Sequence, residues 1–508
     1  MERSRPGAAL VALGIALLGA AVGVGIVAER YDTGIGSQSS AALGEQPNGA
    51  AIIRPPAPPA PVGTLTQVAG PTGCVSLTGT GGACREFPAL DGPVSVALSQ
   101  DGQFVYVAAQ NSDALVIFRR DAATGVLTPL PVPNGCISKS GTSGFCTVGR
   151  ALNAARVVAP SPYEQVGAAK TVYVASLESD GIAVFRREDN GRLTQLPGKN
   201  GCVTRTGSDG QCKQAIGLYD PESIAVTGYG AGRRTLFVAS WGSNALVRFG
   251  GAPEGSIYFR RCASAGGGGV CVNAKGLSRA NSVAKFAGNV YVAASGGDRT
   301  VAAFAWDDTQ YSDTMTQLPG PTGCISFAVG LPTCVRAVPA IAPEAVAVAP
   351  NGDYVYVAGY RSGASALVGF KRAMGPLGDQ PGELSPLAPS IGCAFVRLST
   401  STVDPAGCAA ARALHAPEFV TVSPDGKSIY VAAQDADAVA VFARNPATGG
   451  FTQLGGTKGC LSEGGASGCT LARGVDAPRS ISVSPDGKHV YVAASVSDTV
   501  TLFRRQTG

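Results

Sequence analysis

The sequence predicts an all-β chain: a seven-bladed β-propeller of four-stranded blades, its ring closed by an N-terminal strand, with one disulfide-closed loop per blade. Three observations carry this. Fourteen cysteines fall into seven pairs at a regular period, one strand-like segment recurs seven times, and the repeat is cut out of frame between the two ends of the chain.

The pairs are Cys74 with Cys84, Cys136 with Cys146, Cys202 with Cys212, Cys262 with Cys271, Cys324 with Cys334, Cys393 with Cys408 and Cys460 with Cys469. Their first members lie 60 to 69 residues apart. That period is one supersecondary unit rather than one helix or strand. With only His415 and His489 in the chain and cysteine spacings near ten, zinc is a poor reading and a local disulfide in each unit is the expected one.

Between pairs the same segments recur in order. A first strand such as APRSISVS (477–484) is followed by a turn, PDG, and a second strand, KHVYVAA (488–494). The second strand reappears as VYVAA at Val105, VYVAS at Val172, LFVAS at Leu236, VYVAA at Val290, VYVAG at Val355, IYVAA at Ile429 and VYVAA at Val490. It is apolar on both alternating faces, as suits a strand packed between two neighbouring sheets. Turns at Asp101-Gly102, Asn351-Gly352, Asp425-Gly426 and Asp486-Gly487 supply the positive φ of tight hairpins. A third strand ends on an aromatic and basic residues, as in VIFRR (116–120), AVFRR (183–187) and LFRR (502–505), and a fourth reads LTPL (127–130), LTQL (193–196), MTQL (315–318), LSPL (384–387) or FTQL (451–454). The chain enters the repeat on a fourth strand alone, Leu65-Thr66-Gln67, and leaves after a third strand at Arg505. The N-terminal strand therefore completes the last blade and removes a free sheet edge.

The segment SPDGKSIYVAAQDADAVAVFARNPATGGFTQL (423–454) resembles the repeats of the lactonase-like seven-bladed propellers. That family includes proteins similar to 6-phosphogluconolactonase and carboxymuconate cyclase and overlaps the YVTN-type surface repeat proteins. The resemblance spans residues 63–508 and implies the fold and, as an activity, hydrolysis of a ring ester. The paired-cysteine loops depart from the plain family pattern.

Ahead of the repeats, Arg3 and Arg5 precede an uncharged stretch at 7–28, which ends at Glu29 and Arg30. Residues 1–30 are expected to be a signal anchor or a cleaved signal peptide, and 31–62, including RPPAPPAPVG, a Pro/Gly-rich stalk. The protein is then exported, either membrane-anchored facing outside or secreted. Charged residues make up 15% of the chain and Lys plus Arg exceed Asp plus Glu by five, without basic runs interleaved with aromatics, which argues against nucleic-acid partners.

Chemistry is less marked. No G-x-S-x-G elbow, phosphate loop or H-E-x-x-H motif occurs. Aligning the starts of the first strands gives Val94, Ala155, Glu222, Asn281, Glu344, Glu418 and Arg479 for blades one to seven. Glu222, Asn281, Glu344 and Glu418 form either a site for a divalent cation such as calcium at the channel mouth or a rim of solvated carboxylates. Glu344, Glu418 and His415 are the candidate catalytic residues. A second, basic ring of Arg150, Lys275, Arg412 and Arg473 either attracts anionic ligands or holds the long loops to neighbouring carboxylates. The functional expectation is an extracytoplasmic, monomeric binding or scaffold propeller, with a protein or small-molecule ligand on its loop face and no required cofactor. The alternative is a lactonase-like hydrolase using a carboxylate or a bound cation at the channel mouth.

Overall fold

The computed structural model describes residues 60–508 apart from 163–168, 209, 230–232, 308–313, 329–332, 362, 375–380, 398–404, 406 and 466–467. The expected anchor or signal peptide at 1–30, and all but the last three residues of the stalk, lie outside the described residues. Within them the chain forms seven separate, mainly antiparallel sheets, the blades of a propeller.

Blade one shows the plan. Pro93–Leu98, Phe104–Ala109 and Ala114–Arg120 pair in order from the channel outwards. The outer strand comes in two pieces, Leu127–Pro129 and Cys136–Ser138, both paired to Ala114–Arg120. The fourth strand is thus longer than its LTPL segment and includes the first cysteine of each pair. Past the second cysteine the chain returns as Thr147–Val148, parallel to Cys136–Ser138, an added edge that the simple four-strand count omits. Among the described residues, blade three alone makes the outer strand in one piece, Ile257–Ser264.

Packing between blades explains the apolar second strands. Every residue of Phe104–Ala109, Ser428–Ala433 and His489–Ala494 is buried. Phe104, Tyr106 and Ile117 of blade one meet Val172, Val174 and Phe185 of blade two in a single cluster, and comparable clusters fill the other blade interfaces. A side chain on either face of such a strand contributes to one interface or the other, so alternation with polar residues has no place there.

The recurring order of turn, tyrosine and double arginine also has a cause. The second arginine of the third strand crosses to the preceding blade. Arg505 donates to the Tyr430 hydroxyl at 2.8 Å, to the Gly487 carbonyl at 3.1 Å and to Asp425 at 2.7 Å. Arg120 does the same with Tyr491 and Asp486, at 3.0 and 2.7 Å. Arg187 reaches Asp101 at 2.8 Å, and Arg444 bonds the Tyr356 hydroxyl. The tyrosines in turn donate to the next blade's hairpin, Tyr430 to the Gly63 carbonyl and Tyr491 to that of Gly125. Gly125 sits at φ 79°, and any side chain there would run into His489, so glycine is required on both counts. The aspartate of each D-G turn therefore serves two purposes: it shapes the hairpin and it neutralises a buried guanidinium.

Closure follows the frame of the repeat. Leu65–Gln67 pairs antiparallel with Thr499–Arg505, and Cys74–Ser76 pairs with the same strand, so blade seven is built from both ends of the described chain.

All seven cysteine pairs are disulfides within their own loops, as the spacing predicts. Cys74 bonds Cys84, Cys136 bonds Cys146, Cys202 bonds Cys212 and Cys262 bonds Cys271. Cys324 bonds Cys334, Cys393 bonds Cys408 and Cys460 bonds Cys469. Their Cα separations run from 4.6 to 4.9 Å, inside the range an unstrained bridge spans. Seven such links fit an oxidising compartment. No helix among the described residues is long and apolar enough to cross a membrane.

Candidate functional site

Each first strand carries a β-bulge at the same place. The register against the second strand slips between Pro93 and Ser95, Ala155 and Val157, Pro221 and Ser223, Ala280 and Ser282, Pro343 and Ala345, Pro417 and Phe419, and Pro478 and Ser480. The extra residue in each slip is left out of the ladder and its side chain is re-aimed. Seven side chains are presented in this way: Val94, Arg156, Glu222, Asn281, Glu344, Glu418 and Arg479. All seven line one pocket of about 220 Å³, joined by Trp241, Ser295 and Phe419.

One member corrects the sequence alignment. Blade two contributes Arg156, not Ala155, because Ala155 pairs with Ser176 as Pro93 does with Ala109 and belongs to the position before the bulge. The ring therefore holds two arginines, and the acidic arc is flanked by cations on both sides.

Its members resolve into neighbouring pairs. Arg156 of blade two meets Glu222 of blade three at 2.6 Å, and Arg479 of blade seven meets Glu418 of blade six at 3.4 Å. Between them, the Asn281 amide donates to Glu344 and also to Ser295 at 2.8 Å. Val94 of blade one is the apolar remainder. Serines that follow the bulge lock adjacent blades around this pocket, with Ser95, Ser223, Ser282 and Ser480 each accepting a backbone N–H from the next blade at 3.2 Å.

The electrostatics single out Glu344. Burial, then the nearby charge of Glu418 and that of Glu222, push its carboxyl up to about 8, against the Asn281 hydrogen bond and the more distant Arg156. Arg156 is held more firmly protonated than usual: burial works against its charge, but Glu222, Glu418 and Glu344 outweigh it. Tyr360 is pushed up to about 12 by burial and by the charges of Glu418, Glu344 and Asp435. Two polar atoms of the ring are buried without a hydrogen-bond partner, Oδ1 of Asn281 and Nε of Arg479.

The arc of Glu222, Asn281, Glu344 and Glu418 is thus brought together around one pocket, yet its donor set does not fit calcium. Calcium takes roughly six to eight oxygens, whereas Glu222 and Glu418 are each committed to an arginine. Among the described residues no group of three or more His, Cys, Asp and Glu side chains is placed to hold a metal ion. His415 does not line the pocket.

The second ring holds long loops, one of its two expected uses, but with other partners than carboxylates. Arg150, Lys275, Arg412 and Arg473 are pinned through their backbones by the glutamine of the fourth strand: Gln195 accepts from the Arg150 N–H at 2.9 Å and donates to its carbonyl at 3.0 Å. Gln317, Gln453 and Gln67 treat Lys275, Arg412 and Arg473 alike. The Arg150 and Arg412 guanidiniums donate to loop carbonyls, including those of Gly198 at 2.8 Å and Gly456 at 2.6 Å. The arginine side chains of this ring thus hold loops through carbonyl oxygens rather than through carboxylates.

The family model described as "Lactonase, 7-bladed beta-propeller" matches residues 85–135, which span the first three strands of blade one and the start of its outer strand. The chain is a seven-bladed β-propeller that resembles this family over part of blade one. No curated protein matches it significantly. Among solved structures this propeller is similar to a putative 6-phosphogluconolactonase from Bacteroides fragilis, at 16% identity over 71% of this chain and 82% of that one, TM-score 0.45. The periplasmic gluconolactonase of Pseudomonas aeruginosa shares 15% identity over 77% and 93% of the two chains, TM-score 0.44. Hydrazine synthase of Kuenenia stuttgartiensis aligns as well, at 14% identity over 82% and 96%, TM-score 0.46. At such identities no activity transfers to this propeller, since one fold hosts unrelated chemistry.

Proposed function

We propose that the axial pocket hydrolyses a small ring ester, with Glu344 as the general base and Arg479 beside the reacting carbonyl. The observation that carries this reading is the convergence of three carboxylates, one amide and two arginines from the bulges of six blades. The lactonase family match in blade one supports it. At about 220 Å³ the pocket is smaller than the roughly 300–1,000 Å³ of sites for drug-sized ligands, which suits a single small ring.

In this scheme water attacks the ester carbonyl while Glu344 takes its proton. The guanidinium of Arg479, with its unmet Nε–H, stabilises the negative charge that develops on the carbonyl oxygen. The ring C–O bond then breaks, the leaving oxygen takes the proton back from Glu344, and the product is a hydroxy acid. A carboxyl near 8 is well matched to such a shuttle, since a base works best with its pKa close to the working pH.

A second reading is favoured by one observation. Val148, Val270 and Leu471, in or just after three of the disulfide loops, are 67%, 66% and 64% exposed and would serve a protein-binding loop face. On either reading the domain works outside the cytoplasm, as its disulfides and its export-like N-terminus suggest.

A panel of five- and six-membered lactones, followed by acid release, tests the enzyme. Wild type is expected to turn over at least one, and Glu344→Gln to lose roughly a hundredfold or more in kcat with unchanged melting. His415→Asn is expected to have no effect. Absence of turnover across the panel, or turnover indifferent to Glu344→Gln, would overturn the reading and favour the loop face.

A further inference from the structure

Resting on that reading, we propose that the ring ester carries a primary ammonium group, seated beside Asn281 between Glu222 and Glu344. The pocket would then be selective for an amino-substituted lactone over neutral or anionic ones.

The argument is one of unmet partners. Both guanidiniums are already matched, Arg156 by Glu222 and Arg479 by Glu418. A phosphate or carboxylate on the ligand would stand among three glutamates, and the one unmet guanidinium donor, Nε–H of Arg479, is taken by the ester carbonyl in this scheme. Once the two pairs are set aside, the charge left in the ring is that of Glu344, which is negative when ionised. The acceptor left over is Oδ1 of Asn281, buried and without a donor. A neutral lactone has no N–H to offer there, whereas an ammonium supplies three donors and one positive charge. The titratable groups with a charge on Glu344 or its surroundings are Arg156, Glu222, Glu418 and, further out, Tyr360, Asp435 and Arg479. Carboxylates outnumber guanidiniums among them, so a cation is favoured at this end of the pocket.

The placement also links recognition to chemistry. A proton keeps Glu344 neutral because burial and two neighbouring carboxylates disfavour its charge. A bound ammonium takes over that role and leaves the carboxylate free to accept a proton from water. The ligand that fits would thus ionise its own base, and its binding at neutral pH releases a proton.

Calorimetric titration of the full chain with 3-aminopyrrolidin-2-one, a lactam that keeps the ring and the ammonium but resists hydrolysis, tests this. Pyrrolidin-2-one and a carboxylated lactam serve as the neutral and anionic controls. The amino lactam is expected to bind at least roughly tenfold more tightly than either control. Repeating the titration in two buffers of different ionisation enthalpy is expected to show proton release, abolished in Glu344→Gln. Asn281→Asp, which keeps the shape and adds charge, is expected to tighten the amino lactam, and Asn281→Leu to erase the preference. Equal affinities, tighter binding of the carboxylated lactam, or competition by calcium ion for the same site would overturn the proposal. Turnover of neutral lactones with no preference for the amino form sinks the proposal and leaves the hydrolase standing. Tight binding of the amino lactam without turnover of any lactone does the reverse.

Discussion

A chain of residues 70–508 is expected to unfold at markedly lower urea than one of residues 60–508, although both keep every cysteine pair. The ten residues that differ include Leu65, 4% exposed in a cluster with Tyr430, Val490 and Phe503 at the junction of blades six and seven. Removing one such leucine side chain costs about 2 to 5 kcal/mol. The same cut removes the Leu65–Gln67 ladder to Thr499–Arg505, the bond from the Gly63 N–H to the Gln506 carbonyl at 2.8 Å, and the Gly63 carbonyl that accepts from buried Tyr430. It also frees the Arg473 loop from Gln67. A loss on the order of 5 kcal/mol or more is expected. Coincident urea transitions of the two chains would show that this strand does not close the ring.

The second large effect lies at the inter-blade clamps. Arg505 has a fully buried side chain, and Asp425 is its carboxylate partner at 2.7 Å. Asp425→Ala leaves a buried guanidinium without its counter-ion, a change that typically costs about 3 to 5 kcal/mol. The lower end is expected, because the Asp425 side chain is 32% exposed and solvent shares the work. Arg505→Met removes charge while keeping bulk and is expected to cost less, and in its background Asp425→Ala should matter little. Additive losses in the double variant would contradict the clamp.

The clamps also set the response to acid. Burial would raise the Asp486 carboxyl, but hydrogen bonds from Ser484, Arg120 and the Lys488 N–H hold it down at about 2. A carboxyl near 3.9 in the unfolded chain takes up its proton first, so this stabilisation is complete above about pH 4 and is lost as pH falls towards 2. His489 adds an earlier window: burial and the charge of Arg120 lower it to about 4. The unfolded histidine binds a proton from about pH 6.5 downward while the folded one resists, so stability declines from there to about 4.

Much of this architecture was legible because it is written in repeats. Seven copies of VYVAA and seven cysteine pairs specify seven blades, and the displaced frame at Leu65 and Arg505 specifies how the ring closes. What stayed hidden depends on geometry between blades. Nothing in VIFRR marks its second arginine as buried, yet Arg120 is 5% exposed; its partners Tyr491 and Asp486 lie some 370 positions away in sequence. Nor does LTQL announce what its glutamine does, which is to hold the backbone of Arg150 through Gln195.

The pocket was half legible. Glu222, Asn281, Glu344 and Glu418 could be aligned because a proline or alanine precedes each of them. In NAARVVAP the doubled alanine allows two alignments, and only the pairing of Ala155 with Ser176 assigns the bulge to Arg156. A one-residue slip turns a side chain from one face to the other. Here it hid a cation from the site, Arg156 beside Glu222.

The pH dependence of kcat/KM for the best lactone of the panel, measured on wild type, tests the central claim most directly. Glu344 must be unprotonated to accept a proton from water, and its carboxyl stands near 8 in the free protein. The rate is therefore expected to climb about tenfold per pH unit on the acid side and to level off above about 8. A profile that is flat from about pH 5 to about 9, or one that falls across that range, would contradict Glu344 as the base of this pocket.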